Sequence, residues 1–143
     1  MVLLRITTAV ALGACWPGVA DAVAWHAVPG APEVQIALGS LQLEGPLALV
    51  WLRMPGRSAL TPDLLPGLAA PGTRAPRIHR TTLHAEFDCS HGTLRVRAAT
   101  AHDGSGTPLA MTSTPGRARP VEGGEMGWTY DAVCEVVRSE RRF

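Results

Sequence analysis

The sequence predicts an α+β fold, in which an antiparallel β-sheet of about six strands carries a C-terminal helix on one face, tied by a disulfide. Three observations support this prediction. Residues 82–101 alternate between apolar and polar positions, residues 130–137 place apolar side chains at helical spacing, and Cys89 and Cys134 lie in those two segments. A sheet with one apolar face has to cover that face, and a terminal helix can do so.

Residues 82–101 have the alternation of two strands joined by a turn at His91-Gly92, where glycine can adopt a positive φ. The positions of one face are all apolar: Leu83, Ala85, Phe87 and Cys89 on the first arm, and Leu94, Val96 and Ala98 on the second. This period of two is typical of strands with one buried face.

The same alternation leads to a predicted register for the hairpin. If Phe87 faces Val96, every apolar position meets another apolar position. That register also sets Asp88 opposite Arg95 on the solvent face, and places Glu86 in the same way against Arg97. We therefore expect two cross-strand ion pairs.

Residues 1–22 have the features of a signal peptide for export. Arg5 precedes an uncharged, mostly apolar run, and Ala20-Asp21-Ala22 supplies the small-x-small cleavage pattern. We predict cleavage after Ala22, which leaves a single domain of residues 23–143 without an integral membrane span, because the run is too short to cross a bilayer. One alternative takes Leu12-Gly13-Ala14-Cys15 as a lipobox with Cys15 lipidated and retained; another is a buried N-terminal strand or helix.

The cysteines are consistent with export. With Cys15 in the leader, the mature domain keeps an even pair, Cys89 and Cys134. Such a pair normally forms a disulfide in an oxidising compartment. The alternative is two free, buried thiols in a cytosolic protein, which the predicted signal peptide disfavours.

The remaining strands are predicted at residues 24–28, 33–38, 46–54 and 109–114, with 41–44 extending a hairpin. The segment 46–54 is a largely apolar run and suits a central strand buried on both faces. Three tryptophans, Trp25, Trp51 and Trp128, are expected in the core. Residues 55–76, rich in Pro, Gly and Ala, are predicted to form a surface insertion.

The C-terminal segment is predicted to be a short helix that begins with Thr129 as its N-cap. Trp128 would then pack on Val133 as a hydrophobic staple. Tyr130, Val133-Cys134 and Val137 share one face at this spacing. A strand is the alternative, because β-branched residues are dense here.

No pattern in the sequence predicts catalysis, a cofactor or a metal site. The net charge of +1 gives no electrostatic footprint for nucleic acid. The candidate ligands, which share no metal-binding spacing, are His79, His84, Asp88, Cys89, His91 and His102. We expect a protein that is not an enzyme.

Several short motifs of the chain resemble those of one family. They are Trp25, residues 37–41, residues 50–53, Glu86-Phe87-Asp88-Cys89, Arg95, the turn at 104–106 and Val133-Cys134. Over nearly all of residues 25–137, the chain is similar to the bacterial surface-adhesin protein E family. It departs from the family at Ala37, where the family usually has Asp.

The resemblance implies a one-sided antiparallel sheet with a C-terminal helix held by a disulfide. It also implies a location in the periplasm or on the outer surface of a Gram-negative bacterium. The partner it implies is a host extracellular-matrix or plasma protein.

Two functions are expected from these observations. The first is an exported, non-enzymatic binding or adhesion protein that uses a sheet edge, the loop at 115–125 or the 55–76 insertion. The alternative is a periplasmic accessory or inhibitor protein that acts on a bacterial envelope partner. The sequence does not identify the individual residues that bind a partner.

Overall fold

The computed structural model describes residues 23–56 and 77–142 of the protein. Its sheet is built from strands β1 (His26–Val28), β2 (Ala31–Glu44), β3 (Leu47–Pro55), β4 (Arg80–Asp88), β5 (Thr93–His102), β6 (Pro108–Thr112) and β7 (Arg119–Pro120). Strands β1 to β6 lie side by side in sequence order, and every neighbouring pair is antiparallel. Strand β7 pairs with the start of β5. The predicted fold class is confirmed.

Helix α1 (Gly124–Glu140) follows the sheet. The predicted signal peptide, its cleavage after Ala22, the alternative lipidation of Cys15 and most of the predicted 55–76 insertion lie outside the described residues. Of that insertion, Pro55 ends β3 and Gly56 follows it.

Strand β2 is longer than predicted, because Gly39-Ser40 does not end it. The pairing with β3 is interrupted between Ala37 and Gln42, and the strand continues beyond this bulge. The Ser40 hydroxyl donates to the carbonyl of Ala37 at 2.6 Å and accepts from the backbone N–H of Trp51 at 3.1 Å. This side chain supplies hydrogen bonds at the point where the bulge interrupts the ladder.

The core lies between one face of the sheet and α1. The sheet contributes buried apolar side chains that include Val34, Ile36, Val50, Leu52, Leu83, Phe87 and Val96. Helix α1 buries Thr129, Val133, Cys134 and Val137, and it contacts β1 to β4, with β2 as its main neighbour. The predicted helical face is confirmed at Val133, Cys134 and Val137, with Tyr130 partly buried against the core.

The predicted start of the helix is wrong. Helix α1 begins at Gly124, so Thr129 lies inside it and donates its hydroxyl to the carbonyl of Glu125 at 2.7 Å. Trp128 is also helical and 53% exposed, so it is not a core residue and does not form the predicted staple. Because glycine has a low helix propensity, the Gly-rich stretch before Trp128 did not indicate the first turn of the helix.

The predicted disulfide between Cys89 and Cys134 is present, and its Cα atoms are 5.6 Å apart. It joins the turn between β4 and β5 to the middle of α1. The Tyr130 hydroxyl donates to the carbonyl of Cys89 at 3.2 Å, one helical turn before the disulfide. The helix is therefore held against this end of the sheet by a covalent bond and a hydrogen bond.

The predicted register of the hairpin is wrong by two residues between the turn and Ala85. Phe87 faces Leu94 instead of Val96, and Asp88 faces Thr93 instead of Arg95. The carboxylate of Asp88 accepts hydrogen bonds from the backbone N–H groups of Ser90 and His91 and so stabilises the turn. A shift of two residues leaves every side chain on its face, so alternation alone could not distinguish the two registers.

A β-bulge also interrupts this hairpin. Ala85 pairs with Val96 but His84 pairs with Ala98, so Arg97 is the extra residue. Beyond the bulge the buried positions change parity to Ala99 and Ala101. The predicted inward orientation of Ala98 is therefore wrong.

Candidate functional site

The sheet has a second broad face, the outer face, which α1 does not cover. On β3, Leu52 and Met54 belong to the core, so the alternating side chains of Trp51 and Arg53 lie on the outer face. Trp51 is 36% exposed, and the prediction that this strand is buried on both faces is wrong at this end. Pairing across the sheet places His84 beside Trp51, and Thr82 beside Arg53.

A cleft of about 400 Å³ lies on the outer face, and we refer to it as the outer cleft. Its walls come from the start of the described chain and from strands β2 to β5. They are formed by Val23, Trp25, Ala37, Ser40, Trp51, Arg53, Arg80, Thr82, Thr100 and His102. Indole rings, guanidinium groups and hydroxyls thus share one surface depression.

The aromatic rings of the outer cleft are held by specific contacts. The guanidinium carbon of Arg53 lies 4.1 Å from the centre of the Trp25 ring, within range of a cation–π interaction. Trp51 stacks on His84, with ring centres 4.7 Å apart and planes at 17°. Trp25 and Trp51 are therefore fixed on the outer face, and the prediction that they form part of the core is wrong.

The basic side chains of the outer cleft have no acidic partner in the described part of the chain. No carboxylate there lies within 4 Å of Arg53, Arg80 or His102. The Nε of Arg80 and the Nδ1 of His102 are buried and have no hydrogen-bond partner among the described residues. A buried donor without a partner loses its hydration without compensation.

The electrostatics of the outer cleft follow from these contacts. Burial lowers the pKa of Arg53 below its usual value, and the nearby charge of Arg80 lowers it further. Burial also lowers the pKa of His102, and the charges of Arg80 and Arg53 contribute in the same direction. The charge of Asp103 and a hydrogen bond to the Arg80 backbone oppose this shift. Arg53 nevertheless stays protonated at neutral pH, because the guanidinium pKa is very high.

The opposite end of the outer face carries charges that neutralise one another. The Nε of Arg97 donates to the Glu86 carboxylate at 2.6 Å, and Glu44 lies 3.6 Å from the same guanidinium. Glu86 is only 7% exposed, so the ion pair with Arg97 compensates for the lost hydration of its carboxylate. The predicted pair of Glu86 and Arg97 is thus formed, although the two residues are not directly opposite in register.

Some of the candidate metal ligands lie close together, but they do not form a metal site. Asp88 contacts His91 at 2.9 Å in the turn, whereas His84 and His102 lie on the outer face. In residues 23–56 and 77–142, no three His, Cys, Asp or Glu side chains converge in a way that could hold a metal ion.

A larger cavity of about 730 Å³ lies on the helix side of the sheet, between β5, residues 116–123 and the start of α1. Its buried walls include Met54, Leu94 and Val96. Its charged lining combines arginines and glutamates, so charges of both signs are present. We take the outer cleft as the candidate site because its cations have no acidic partners among the described residues, although it is the smaller of the two.

Sequence reasoning did not identify Arg53, Arg80, Thr82, Thr100 and His102 as one group. The pattern offered one signal, since Arg80, Thr82 and His84 alternate with apolar residues and so share the polar face of β4. The pattern could not predict the bulge at Arg97. This bulge sets the register that brings Thr100 beside Thr82. Only the folded sheet brings these side chains together.

Comparison with known proteins gives one informative match. No family model matches the chain, and no curated protein sequence matches it. Among solved structures, the chain is similar to Haemophilus influenzae protein E in its crystal form II, with a TM-score of 0.55 and 9% sequence identity. The similarity covers 78% of this chain and 87% of that chain.

The two proteins share a fold. At this level of identity the likeness concerns the fold alone, and it agrees with the architecture that the sequence resemblance implied. No helix in the part of the chain that the structure describes is long and apolar enough to cross a membrane.

Proposed function

We propose that the protein is an exported, non-enzymatic binding protein of the bacterial cell envelope, and that the outer cleft is its binding surface. The observation that carries this proposal is the group of basic side chains, without acidic partners among the described residues, beside Trp25 and Trp51. Exposed aromatic and arginine side chains are enriched where proteins bind partners.

Three further observations support the proposal. Helix α1 occupies one face of the sheet, so the outer face remains as a broad surface for a partner. The Cys89–Cys134 disulfide fits an oxidising compartment. The sequence resemblance to the surface-adhesin protein E family supports a protein partner, such as a host extracellular-matrix or plasma protein.

The first test concerns export. We expect the mature protein to begin at Val23, because Ala20-Asp21-Ala22 provides the cleavage pattern. Intact-mass analysis of protein recovered from the cell envelope checks this. A mass that includes residues 15–22 and acyl chains would instead identify a lipoprotein anchored at Cys15, and a mass of the uncleaved chain would contradict export.

The second test concerns location and partner. Protease treatment of intact cells should remove the protein if it is on the cell surface, and host matrix and plasma proteins should be captured by it in a pull-down. Arg53→Gln should reduce the capture, and Arg117→Gln should not, because Arg117 is exposed near the cavity on the other side of the sheet. Protection from protease together with capture of bacterial envelope proteins would favour the periplasmic accessory or inhibitor function.

A further inference from the structure

We propose that the outer cleft binds an acidic saccharide, a sugar ring that carries a carboxylate or a sulfate group. This inference rests on the proposed function, because it assigns a ligand class to the same surface. Three features of the outer cleft support it: its arginines have no acidic partner among the described residues, the carboxylates close by are not paired with them, and the strands beneath the cleft have no free edge for an extended peptide.

The basic groups of the outer cleft have no carboxylate within 4 Å in the described part of the protein. The Nε of Arg80 and the Nδ1 of His102 have no hydrogen-bond partner there, as is also true of the Nε of Arg95 outside the outer cleft. Guanidinium groups bind carboxylate, sulfate and phosphate oxygens through paired, charge-assisted hydrogen bonds. An oxyanion placed between Arg53 and Arg80 would offset the repulsion between these two cations, whose charges influence each other.

Two carboxylates close to the outer cleft, those of Asp103 and Glu33, do not pair with its arginines. Asp103 acts on His102 through its charge, but its Oδ1 accepts from the backbone N–H groups of Ser105 and Thr107, both at 2.9 Å. Glu33 lines an adjoining cavity that Arg53 and Arg80 also line, yet it lies farther than 4 Å from either guanidinium. The described part of the chain therefore leaves these arginines for an external anion.

The position of the outer cleft disfavours an extended peptide as its ligand. The cleft lies on the face of β3 and β4, and each of these strands pairs with a neighbour on both sides. Their backbone groups are used in the ladder, so a peptide cannot bind there by adding a strand, which requires a free edge. Recognition has to come from side chains alone.

The remaining side chains fit the chemistry of a sugar. Thr82 and Thr100 face each other across β4 and β5, and each hydroxyl can both donate and accept a hydrogen bond. Trp51 presents an indole that is 36% exposed, an apolar surface for the C–H groups of a sugar ring. An acidic saccharide combines hydroxyls, an apolar ring face and an oxyanion, and these are the groups that the outer cleft complements.

Export processing would strengthen the site. Val23 lines the outer cleft, so cleavage after Ala22 would place a new α-ammonium group at its rim. This group has an ordinary pKa of about 8, so it is largely protonated at neutral pH and adds to the positive charge. The proposal therefore concerns the processed protein.

The test is calorimetric titration of the exported protein at about 0.15 M ionic strength. Two probes separate the sources of the oxyanion: a galacturonate hexasaccharide carries carboxylates, and a heparin-derived hexasaccharide carries sulfates. Maltohexaose is the neutral saccharide, and hexaglutamate is the acidic peptide. We expect at least one acidic saccharide to bind, maltohexaose not to bind, and hexaglutamate to bind at least about tenfold more weakly than that saccharide.

Variants connect the binding to the outer cleft. Arg53→Gln and Arg80→Gln should each weaken saccharide binding by about tenfold, because each removes a charge-assisted hydrogen-bond donor. Arg117→Gln removes the same charge outside the outer cleft and should change the affinity by less than about twofold. Circular dichroism and the melting temperature establish that each variant is folded. Arg53→Lys, which keeps the charge and loses the paired geometry, should give an intermediate affinity.

Several outcomes would overturn the proposal: no binding of either acidic saccharide, equal binding of hexaglutamate, or equal losses in Arg117→Gln and the variants of the outer cleft. If capture of a protein partner still depends on Arg53 while no saccharide binds, the proposed function stands and the saccharide assignment fails. If neither capture nor saccharide binding depends on the outer cleft, both proposals fail.

Discussion

At the scale of single residues, Asp88 shows how one side chain can determine a local structure that strand patterns do not reveal. Its carboxylate accepts hydrogen bonds from the Ser90 hydroxyl at 2.8 Å and from the backbone N–H groups of Ser90 and His91. Gly92 completes the turn at a φ of 65°, a conformation that favours glycine. The turn, and with it the register of the hairpin, depends on this carboxylate.

The stability supplied by Asp88 should depend on pH. The hydrogen bond from the Ser90 side chain, with further bonds from His91 and the backbone, lowers the pKa of Asp88 to about 2. A lowered carboxyl pKa means that its stabilisation is present above the ordinary pKa and is lost as the pH falls towards the folded value. Asp88→Asn should therefore lower the melting temperature at neutral pH, and the difference from the parent should shrink between about pH 4 and pH 2.

The matched control for this measurement is Asp131→Asn, which changes an exposed aspartate on α1. Its melting temperature should follow the parent at each pH. If the Asp88→Asn difference stayed constant down to about pH 2, the carboxylate would not be stabilised by the hydrogen bonds of this turn.

Gly30 allows a second prediction at the residue scale. It has a φ of 85°, and a Cβ built on it would lie 2.5 Å from Cδ2 of Trp128. Gly45 also has a positive φ, of 61°, but a Cβ added there would have no atom within 4 Å. Gly30→Ala should therefore destabilise the protein by more than Gly45→Ala. The left-handed conformation alone costs a non-glycine residue about 1–3 kcal/mol.

Urea unfolding of the two alanine variants measures this difference. Trp128→Ala introduced into the Gly30→Ala background should recover the part of the loss that comes from the clash. Because Trp128 is 53% exposed, its own removal should cost less than the about 3–5 kcal/mol typical of a core tryptophan. Equal losses for Gly30→Ala and Gly45→Ala would show that the ring does not pack on Gly30.

At the scale of secondary-structure elements, the β4–β5 hairpin combines a bulge with an ion pair. Arg97, the extra residue of the bulge, lies on the outer face, where its guanidinium reaches Glu86 although Arg95 is the residue directly opposite. Bulges re-aim the side chains that follow them without ending a strand. The bulge also moves Ala99 and Ala101 to the core face, which allows β5 to contribute to the core along its length.

A double-mutant cycle tests this arrangement of the hairpin. Glu86→Gln and Arg97→Gln should show a coupling energy of about 1–2 kcal/mol, because the pair is hydrogen-bonded and largely buried on the side of Glu86. Arg97→Gln should be the more damaging single change, since it leaves a buried carboxylate without its partner.

The companion cycle uses Asp88→Asn and Arg95→Gln, the pair expected from alternation alone. No coupling is expected there, because Asp88 faces Thr93 and bonds to its own turn. Chemical denaturation of the parent and of the single and double variants gives both coupling energies. Coupling between Asp88 and Arg95, in addition to that between Glu86 and Arg97, would instead support the register predicted from the sequence.

At the scale of the whole molecule, the Cys89–Cys134 disulfide joins the sheet to α1 across a separation of 45 residues. It lies beside the hydrogen bond from Tyr130 to Cys89 and next to buried Val133. The helix closes the apolar face of the sheet, so a bond that retains the helix retains the core. In the chain-entropy account, a loop of this length contributes about 4 kcal/mol by restricting the unfolded chain.

Cys89→Ser should accordingly lower the melting temperature of the oxidised protein, and Cys134→Ser should lower it by a similar amount. The double variant should show no further loss, since either change removes the same bond. Adding a reductant should lower the melting temperature of the parent but leave the variants unchanged. Losses that add in the double variant would mean that the two sulfurs act independently.

The fold class, the helical face and the disulfide could be predicted from the order of the amino acids. The alternation around Phe87, the spacing of Val133, Cys134 and Val137 and the pairing of two cysteines are local or countable features. The first two depend on which face of a strand or helix a residue occupies, and hydrophobic periodicity reveals that face. Shifts of two residues along a strand do not alter that face. The disulfide follows from the number of cysteines in the mature domain.

The register, the bulges and the outer cleft could not be predicted in this way, because they depend on contacts between distant parts of the folded chain. The register depends on hydrogen bonds that one carboxylate accepts, and the exposure of Trp51 and Trp128 depends on which surfaces α1 covers. The outer cleft joins residues from the start of the domain to His102, which become neighbours only when several antiparallel strands align. Long-range side-chain geometry of this kind has no local period in the sequence, because it is fixed by the pairing of distant strands.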